Sequence, residues 1–412
     1  MPQLKKEVQN PPHFSVVTDD AELARVCQAA RQQSAVALDT EFVRVRTLYP
    51  KLGLIQMYFG DQVALIDPLP IQDFSPFIEL LADTNLVKIL HACSEDLDVF
   101  QRYFQQLPRP MCDTQVMAHF LGFAGSTGFA TLVQHYFQIE IDKGASRTDW
   151  LARPLSDTQL QYAAADVWYL LPLYGQMQQQ LTQTEWQSAV ENECEFLLNK
   201  RAQTTKDPDS AYFAIPNAWK LNRLELMRLK LLAKWRMEEA MKRDLALNFV
   251  VRAENLWQVA KSNPKHISTL PELGLSTAEV RIHGKKLLQI IDQVKRIVPE
   301  DYPPPIQRLA DDPRYKATLK ALQQHLIQIT PPNLPKELIA GKRHLESLMK
   351  WHWLKNSEDD LPELLTGWRK PFGEKLLAAL KAFDEWPSQR KEKCGGFLQR
   401  FKNALKIHRT FC

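Results

Sequence analysis

The chain has 412 residues, of which 45% are hydrophobic, so it is long enough for two or three domains with buried cores. Its 52 basic and 48 acidic residues give a formal net charge of +4, so bulk charge by itself does not predict a nucleic-acid-binding protein. No stretch approaches the ~18 consecutive apolar residues of a membrane helix, and the amino terminus lacks the apolar core of a signal peptide. The cysteines are scattered without a Cys-x-x-Cys pair, which excludes a common zinc-site pattern and is typical of reduced thiols. These features predict a soluble, cytoplasmic protein with no membrane partner.

The first two predicted elements are a capped helix and a buried strand that carries two acids. Asp19, followed three residues later by Glu22, has the spacing of a helix capping box. The apolar segment 35–42 predicts a strand that contains Asp39 and Glu41. Because side chains alternate between the two faces of a strand, these two acids point the same way.

The segments that follow predict an α/β domain. Two strand-like stretches flank Gly60 and Asp61, a pair typical of a hairpin turn. Helical and strand-like patterns then alternate, which is the order expected of a mixed sheet covered by helices. The predicted strands are 54–59, 63–66 and 87–90, the predicted helices are 74–82, 95–104, 116–121 and 160–167, and a short element of either kind lies at 112–114.

Three further residues in these elements are candidates for chemistry. Asp96 lies at the start of a predicted helix, and Tyr162 and Asp166 share one face of another because they are four residues apart. Each motif taken singly is also typical of a structural role, such as an acid at a helix start. Four acids in one pocket would repel one another unless cations neutralised them, and Mg²⁺ and Mn²⁺ prefer oxygen ligands. Together with Asp39 and Glu41, these acids therefore predict a two-metal phosphodiesterase site.

The order of these motifs resembles that of the ribonuclease D family, in the DEDD superfamily of 3′→5′ exonucleases with a tyrosine in the third motif. The stretches that carry the resemblance are 38–42, 91–98, 148–155 and 160–167. It implies an RNase H-like fold and release of nucleoside 5′-monophosphates from the 3′ end of RNA, such as a tRNA precursor. The catalytic set that it implies is Asp39, Glu41, Asp96, Tyr162 and Asp166, of which the four acids would bind two Mg²⁺ or Mn²⁺ ions.

The second half of the chain predicts two copies of a small helical domain. Near 206–210 the pattern becomes almost purely helical. Three short motifs then recur in the same order roughly 90 residues apart, with the proline run 303–305 between the copies. The paired segments are 249–252 with 338–341, 270–273 with 361–364, and 284–288 with 373–377. Each copy resembles an HRDC domain, a helical module of ribonucleases D and RecQ-type helicases, and the second copy is the more divergent.

These patterns divide the chain into four predicted regions. An α/β, RNase H-like exonuclease domain with a mixed sheet spans 1–205. Two small all-α helical domains follow at 212–298 and 306–386, and a basic tail occupies 387–412. Because no heptad run or apolar patch is readable, a monomer is the expected state.

Several residues are candidate contacts to RNA. Phe42 is either a stacking surface for the terminal base or a core aromatic. Lys285 and Lys286 either contact phosphates or belong to an ordinary solvated helix face. The same alternatives apply to a basic group on the helix that carries Trp235, namely Lys230, Lys234, Arg236, Lys242 and Arg243.

Two other functions are consistent with the motifs. A DNA-directed 3′→5′ exonuclease would use the same acids, since nothing in the catalytic motifs separates ribose from deoxyribose. A non-catalytic nucleic-acid-binding scaffold could keep the same fold, although unpaired acids in one pocket are costly to keep without a metal. The tandem helical domains and the segment 149–155 favour the RNA-directed enzyme.

Overall fold

The amino-terminal half folds around a six-stranded mixed sheet. In the computed structural model, the described residues are 13–141, 144, 147–204, 206–355 and 360–384. The strands are β1 (Phe14–Val17), β2 (Ala35–Val43), β3 (Lys51–Phe59), β4 (Gln62–Ile66), β5 (Val87–Leu90) and β6 (Met111–Asp113), and their order across the sheet is β1-β4-β3-β2-β5-β6. β2, β3 and β4 form an antiparallel meander, whereas the other neighbours pair in parallel. The predicted mixed sheet is confirmed, and β1 is an edge strand that the sequence pattern does not predict.

Helices cover both faces of this sheet. They are α1 (Asp20–Ala30), α2 (Ser75–Ala82), α3 (Ser94–Phe104), α4 (Thr114–Phe120), α5 (Phe129–Phe137), α6 (Asp157–Leu181) and α7 (Gln187–Gln203). Asp19 accepts a hydrogen bond from the Glu22 backbone N–H at 2.9 Å, so the predicted cap does begin α1. Ser156 and Gln159 form a full capping box at the start of the long helix α6.

The two faces of the sheet pack against different helices, and this decides where the acids point. Along β2, Val36 and Leu38 join the core that contains α1 and α2. Ala37 joins the opposite core, where α6 packs. Asp39 and Glu41 continue the Ala37 series, because strand side chains alternate. They therefore lie on the face that α6 covers.

The carboxyl-terminal half contains the same series of helices twice, as the repeat predicts. In each copy a long helix is followed by a one-turn helix, a medium helix, short turns and a final long helix. The first copy consists of α8 (Arg223–Arg243), α9 (Leu247–Val250), α10 (Ala253–Ser262) and α11 (Thr277–Gln293), and the second of α12 (Tyr315–Ile329), α13 (Lys336–Ile339), α14 (Lys342–Lys350) and α15 (Lys370–Asp384). The predicted linker at 206–210 overlaps the start of a 3-10 helix, Pro208–Ala214, which packs against α8. The basic tail lies outside the described residues.

The two helical copies differ in how they pack on the rest of the chain. Buried residues of the first copy, such as Leu226 and Leu287, form a core of their own. Those of the second copy, such as Leu345 and Leu376, are continuous with the core of the α/β domain. The second copy is thus docked on the domain that carries the acids.

The thiols and the apolar character of the helices can be compared with the sequence. Cys27, Cys93, Cys112 and Cys194 carry free thiols, in line with their scattered spacing. The last two cysteines of the chain lie outside the described residues. Among the described helices, none combines the length and the apolar character that a membrane span requires.

A glycine in the last helix of each copy lies against that copy's Leu-Pro-Glu-Leu turn. A Cβ added at Gly373 would lie 1.6 Å from the Leu364 carbonyl oxygen. At Gly284 the nearest atom is the flexible end of Leu270, 3.2 Å away. We therefore expect Gly373→Ala to destabilise the protein by about 3 kcal/mol, because the backbone must move, and Gly284→Ala to change stability by less than about 1 kcal/mol. Urea unfolding measures the free energy of unfolding of both variants. Equal losses of stability in the two would contradict the close approach at Gly373.

Candidate active site

Three of the predicted site residues meet where β2 faces α6. Asp39 and Glu41 lie on β2, and Asp166 lies on the helix that packs over this strand. Burial and the charge of Asp166 raise the pKa of Asp39 well above its usual value. Burial and the neighbouring acids raise the pKa of Glu41 to about 10. Such mutual effects require carboxylates that lie close together in a water-poor environment.

The fourth acid reaches the same place from α3. Asp96 lies in the first turn of that helix and is 7% exposed. Its carboxylate accepts a hydrogen bond from the hydroxyl of Thr40, the residue between the two acids of β2. Burial and the charge of Asp39 raise the pKa of Asp96 well above its usual value. The structure therefore brings all four predicted acids together.

The tyrosine of the predicted set is hydrogen-bonded to one of these acids. Tyr162 lies one helical turn before Asp166 and donates its hydroxyl hydrogen to that carboxylate. Burial, followed by the charge of Asp166, raises the pKa of Tyr162. Burial also raises the pKa of Asp166 to about 7, although the bond from the tyrosine opposes that rise. A raised phenol pKa keeps the Tyr162 hydroxyl protonated at neutral pH, and in this structure that hydroxyl donates a hydrogen bond to Asp166.

Among the described residues, the four acids have no cationic partners, although carboxylates shielded from water are normally paired. Within the residues that the structure describes, none of them forms an ion pair with lysine, arginine or histidine, although other acids nearby do. Uncompensated carboxylate oxygens are the ligands that Mg²⁺ and Mn²⁺ prefer, so this donor set fits divalent ions. The described His, Cys, Asp and Glu side chains do not form a ready-made cluster around an ion.

A second acid on α3 shows the contrast with a compensated carboxylate. Asp98, two residues beyond Asp96, pairs with Arg44, which follows β2, and with Arg201 of α7. Arg44 also pairs with Glu95 at 2.9 Å. Asp98 thus ties the end of β2 to two helices. Asp96 has no such partner among the described residues. This difference distinguishes Asp96, a predicted site residue, from Asp98, which has a structural role.

One arginine anchors the segment before α6, and the sequence alone does not show this role. Arg153 donates to both carboxylate oxygens of Asp67, each at 2.7 Å, and to the Gly53 carbonyl at 2.7 Å. It also donates to the carbonyl of Trp150 at 2.9 Å. Trp150 is 1% exposed, and its ring centroid lies 6.2 Å from that of Tyr162. Arg153 therefore positions the segment that leads into the helix carrying the tyrosine.

The predicted RNA contacts lie in different environments. Phe42 follows a register shift in β2 and is partly buried against the core, so both of its predicted roles stay predictions. Lys285 and Lys286 are exposed on α11. Arg236, by contrast, is 5% exposed and donates to the Val251 carbonyl at 3.0 Å. Its prediction as a phosphate contact is therefore wrong.

Family models match three parts of the chain. A 3'-5' exonuclease model matches residues 14–182, which contain the four acids and the tyrosine. An HRDC domain model matches residues 225–291. A model described as the ribonuclease D C-terminal HRDC domain matches residues 313–377. These matches agree with the two kinds of domain that the structure contains.

Individual relatives are similar over nearly the whole length. Ribonuclease D of Haemophilus influenzae is 57% identical over 378 residues, which cover 91% of this chain and 95% of that protein. Ribonuclease D of Escherichia coli is 44% identical over 91% of this chain and 100% of that protein. The crystal structure of E. coli RNase D has a TM-score of 0.86 at 43% identity and covers 91% of this chain and 100% of that chain. The catalytic core of RRP6 from Trypanosoma brucei, at 21% identity and a TM-score of 0.57 over 72% of this chain and 88% of that one, shows the fold alone. The chain belongs to the ribonuclease D family and is a 3′→5′ exoribonuclease.

Proposed function

We propose that the four converging acids hold two divalent ions, Mg²⁺ or Mn²⁺, and that Tyr162 orients the attacking water. The acids are Asp39, Glu41, Asp96 and Asp166. Their convergence without cationic partners among the described residues is the observation that carries this proposal. When bound, such ions stabilise the negative charge that develops on the phosphate and the leaving oxygen.

The side chains around the acids would control the geometry of hydrolysis. Tyr162, which stays protonated, can turn its hydroxyl from Asp166 towards a water beside the scissile phosphate. Thr40 holds one oxygen of Asp96 and leaves the other for a ligand. Packing of α6 over β2 partly shields the acids from bulk water, which strengthens electrostatic interactions in the site. Hydrolysis from the 3′ end would then release one nucleoside 5′-monophosphate per step.

The substrate we propose is RNA with an accessible 3′ end, including tRNA precursors. The E. coli relative is described as an exoribonuclease involved in structured RNA processing. In this chain, the exposed Lys285 and Lys286 would contact phosphates, and Phe42 would stack on the terminal base. The domain bounds 1–205, 212–298 and 306–386, a monomeric state and a cytoplasmic location belong to the same proposal.

A digestion assay tests the substrate and the reaction together. RNA with a 5′ label and a 3′ extension is compared with DNA of the same sequence, with Mg²⁺ or Mn²⁺ present. The expected result is a ladder that shortens from the RNA 3′ end and disappears with EDTA. Faster digestion of the DNA would favour the DNA-directed alternative, and binding without cleavage would favour the scaffold. A tRNA precursor with a 3′ trailer, trimmed faster than an unstructured RNA with the same 3′ extension, would support the tRNA assignment.

The two lysines on α11 make a separate prediction about affinity. The double substitution Lys285→Ala and Lys286→Ala should weaken RNA binding at low salt. It should also reduce the slope of log affinity against log salt concentration by about the amount expected for two lost phosphate contacts. The effect should be uniform across RNA sequences and leave kcat unchanged. Lys261→Ala, on the neighbouring helix α10, is a matched control. Filter binding over a range of salt concentrations measures the change, and an unchanged salt slope would remove these lysines from the RNA surface.

We expect a kinetic defect when Arg153, which holds the segment before α6, is replaced. Arg153→Ala should lower kcat about 10- to 100-fold, because small displacements of groups around a metal site have effects of this size. Arg109→Ala, which removes a partly exposed pair with Glu195, is the matched control and should retain wild-type kcat. Steady-state kinetics on the 3′-extended RNA distinguish the two. A normal kcat with only a lowered melting temperature would mean that Arg153 has no effect on the site.

A further inference from the structure

A buried glutamine next to the proposed site is not explained by packing. Gln56 is 0% exposed, and neither its amide nitrogen nor its amide oxygen has a hydrogen-bond partner among the described residues. Most polar side-chain atoms in protein interiors are paired, and an unpaired one is unfavourable. An apolar side chain of the same size would fill this position without that disadvantage. A partner that acts only in the working enzyme would account for the amide.

The strand register places this amide beside Asp39. Gln56 on β3 is paired directly with Asp39 on β2. Directly opposite residues of an antiparallel pair point to the same face, with Cβ atoms about 4.5–5.5 Å apart. Leu54 and Tyr58, two residues to either side of Gln56, belong to the core on the α6 face, which fixes the direction of the glutamine. Amide and carboxylate therefore share the face on which the acids converge.

The Asp39 carboxylate has one backbone hydrogen-bond donor, and a second donor would fix its orientation. Its Oδ1 atom accepts a hydrogen bond from the backbone N–H of Thr40 at 3.0 Å. That bond holds Oδ1, but one hydrogen bond does not fix the rotation of the carboxylate group and hence the position of Oδ2. Carboxylates that ligate metal ions are usually oriented by hydrogen bonds from neighbouring groups. The glutamine amide is a neutral donor on the adjacent strand, with a side chain long enough to span the gap.

We propose that Gln56 is a positioning residue, whose amide N–H donates a hydrogen bond to the Asp39 carboxylate in the ion-loaded enzyme and fixes its orientation. The inference rests on the proposed role of Asp39 as an ion ligand. Rotation of the terminal torsions of Gln56 suffices to make the bond, because the backbone register already aligns the two residues.

Two substitutions of similar size test this assignment. Gln56→Met removes the donor, and Gln56→Glu replaces it with an oxygen that repels the carboxylate. For Gln56→Met we expect an unchanged or higher melting temperature, because an unpaired amide is lost. The Mn²⁺ dissociation constant of the metal-free protein, measured by titration calorimetry, should rise about tenfold, and kcat should fall about 10- to 100-fold with KM for RNA unchanged. Gln56→Glu should have the larger kcat defect.

A matched control comes from another buried, unpaired polar atom far from the site. Thr318 of α12 is 0% exposed, and its hydroxyl has no partner among the described residues. Thr318→Val should raise the melting temperature as Gln56→Met does, while leaving Mn²⁺ affinity and kcat unchanged. This control separates the loss of a buried polar group from the loss of a positioning contact.

The possible outcomes distinguish this inference from the proposed function. Wild-type Mn²⁺ affinity and kcat in Gln56→Met would overturn the positioning role, and so would a large fall in melting temperature with normal Mn²⁺ affinity. Asp39→Asn is measured in parallel. If Asp39→Asn is inactive while Gln56→Met is normal, only the inference on Gln56 fails. If Asp39→Asn retains wild-type kcat, the proposed ion site itself is wrong.

Discussion

Replacing Asp39 by asparagine is expected to lower kcat at least about a thousandfold, which corresponds to about 4 kcal/mol of lost transition-state stabilisation. The substitution keeps the shape of the side chain and removes the charge that two divalent ions would require. The same variant should melt at a higher temperature than the wild type when no metal is present. Burial and Asp166 raise the pKa of Asp39 in the folded protein. At neutral pH this carboxyl therefore makes folding less favourable, because the unfolded chain ionises it more easily than the folded protein does, and the neutral amide removes that penalty.

Single-turnover kinetics and thermal melting, each with and without Mn²⁺, measure these two effects. Added Mn²⁺ should stabilise the wild type and have a much smaller effect on Asp39→Asn, since ligand binding to the folded state raises its stability. Asp61→Asn, in the exposed hairpin turn between β3 and β4, is the control and should behave as wild type in all four measurements. An Asp39→Asn protein that is both inactive and less stable without metal would point to a structural role instead.

Glu193→Ala is expected to destabilise the protein by about 3–5 kcal/mol, because it leaves a buried guanidinium without its main partner. Glu193 lies on α7 and accepts hydrogen bonds from both terminal nitrogens of Arg369 and from the Trp368 indole at 2.8 Å. Arg369 is only 5% exposed. Glu363, 3.2 Å from the same arginine, offsets part of the loss, which favours the lower end of the range. These contacts hold the second helical copy on the α/β domain.

A neighbouring glutamate on the same helix provides the control for this prediction. Glu195 pairs with Arg109 at the surface, and both side chains are at least one-third exposed. Its replacement by alanine should change stability by less than about 1 kcal/mol, as is usual for exposed ion pairs. Urea unfolding gives the free energy of unfolding of both variants. Equal losses of stability would show that the contact between Glu193 and Arg369 does not determine the docking of the second copy.

The four acids and the tyrosine could be selected from the sequence because their signals are local. Alternation in the segment 35–42 suffices to place two acids on one face of a strand, and the structure has them on β2 (Ala35–Val43). The four-residue spacing that pairs Tyr162 with Asp166 likewise depends on a single helical turn. The sequence could not separate the buried Arg236 from the more accessible lysines on the same helix, because burial depends on what packs over a helix.

The sequence by itself determined most of the strands and helices after β1, the repeat of the helical copies and which acids are candidates for the site. The strands, helices and candidate acids are readable because they depend on side chains within a few positions of one another. Only the tertiary structure decided the partners of buried polar groups. Lys88, in the predicted strand β5, is 0% exposed. Its ammonium group donates hydrogen bonds to three backbone carbonyls, which compensates for its burial. One of them, the carbonyl of Arg109, is 21 positions away in the sequence. Glu193 meets Arg369 across 176 positions. Such contacts form only when whole domains pack, so no local pattern encodes them.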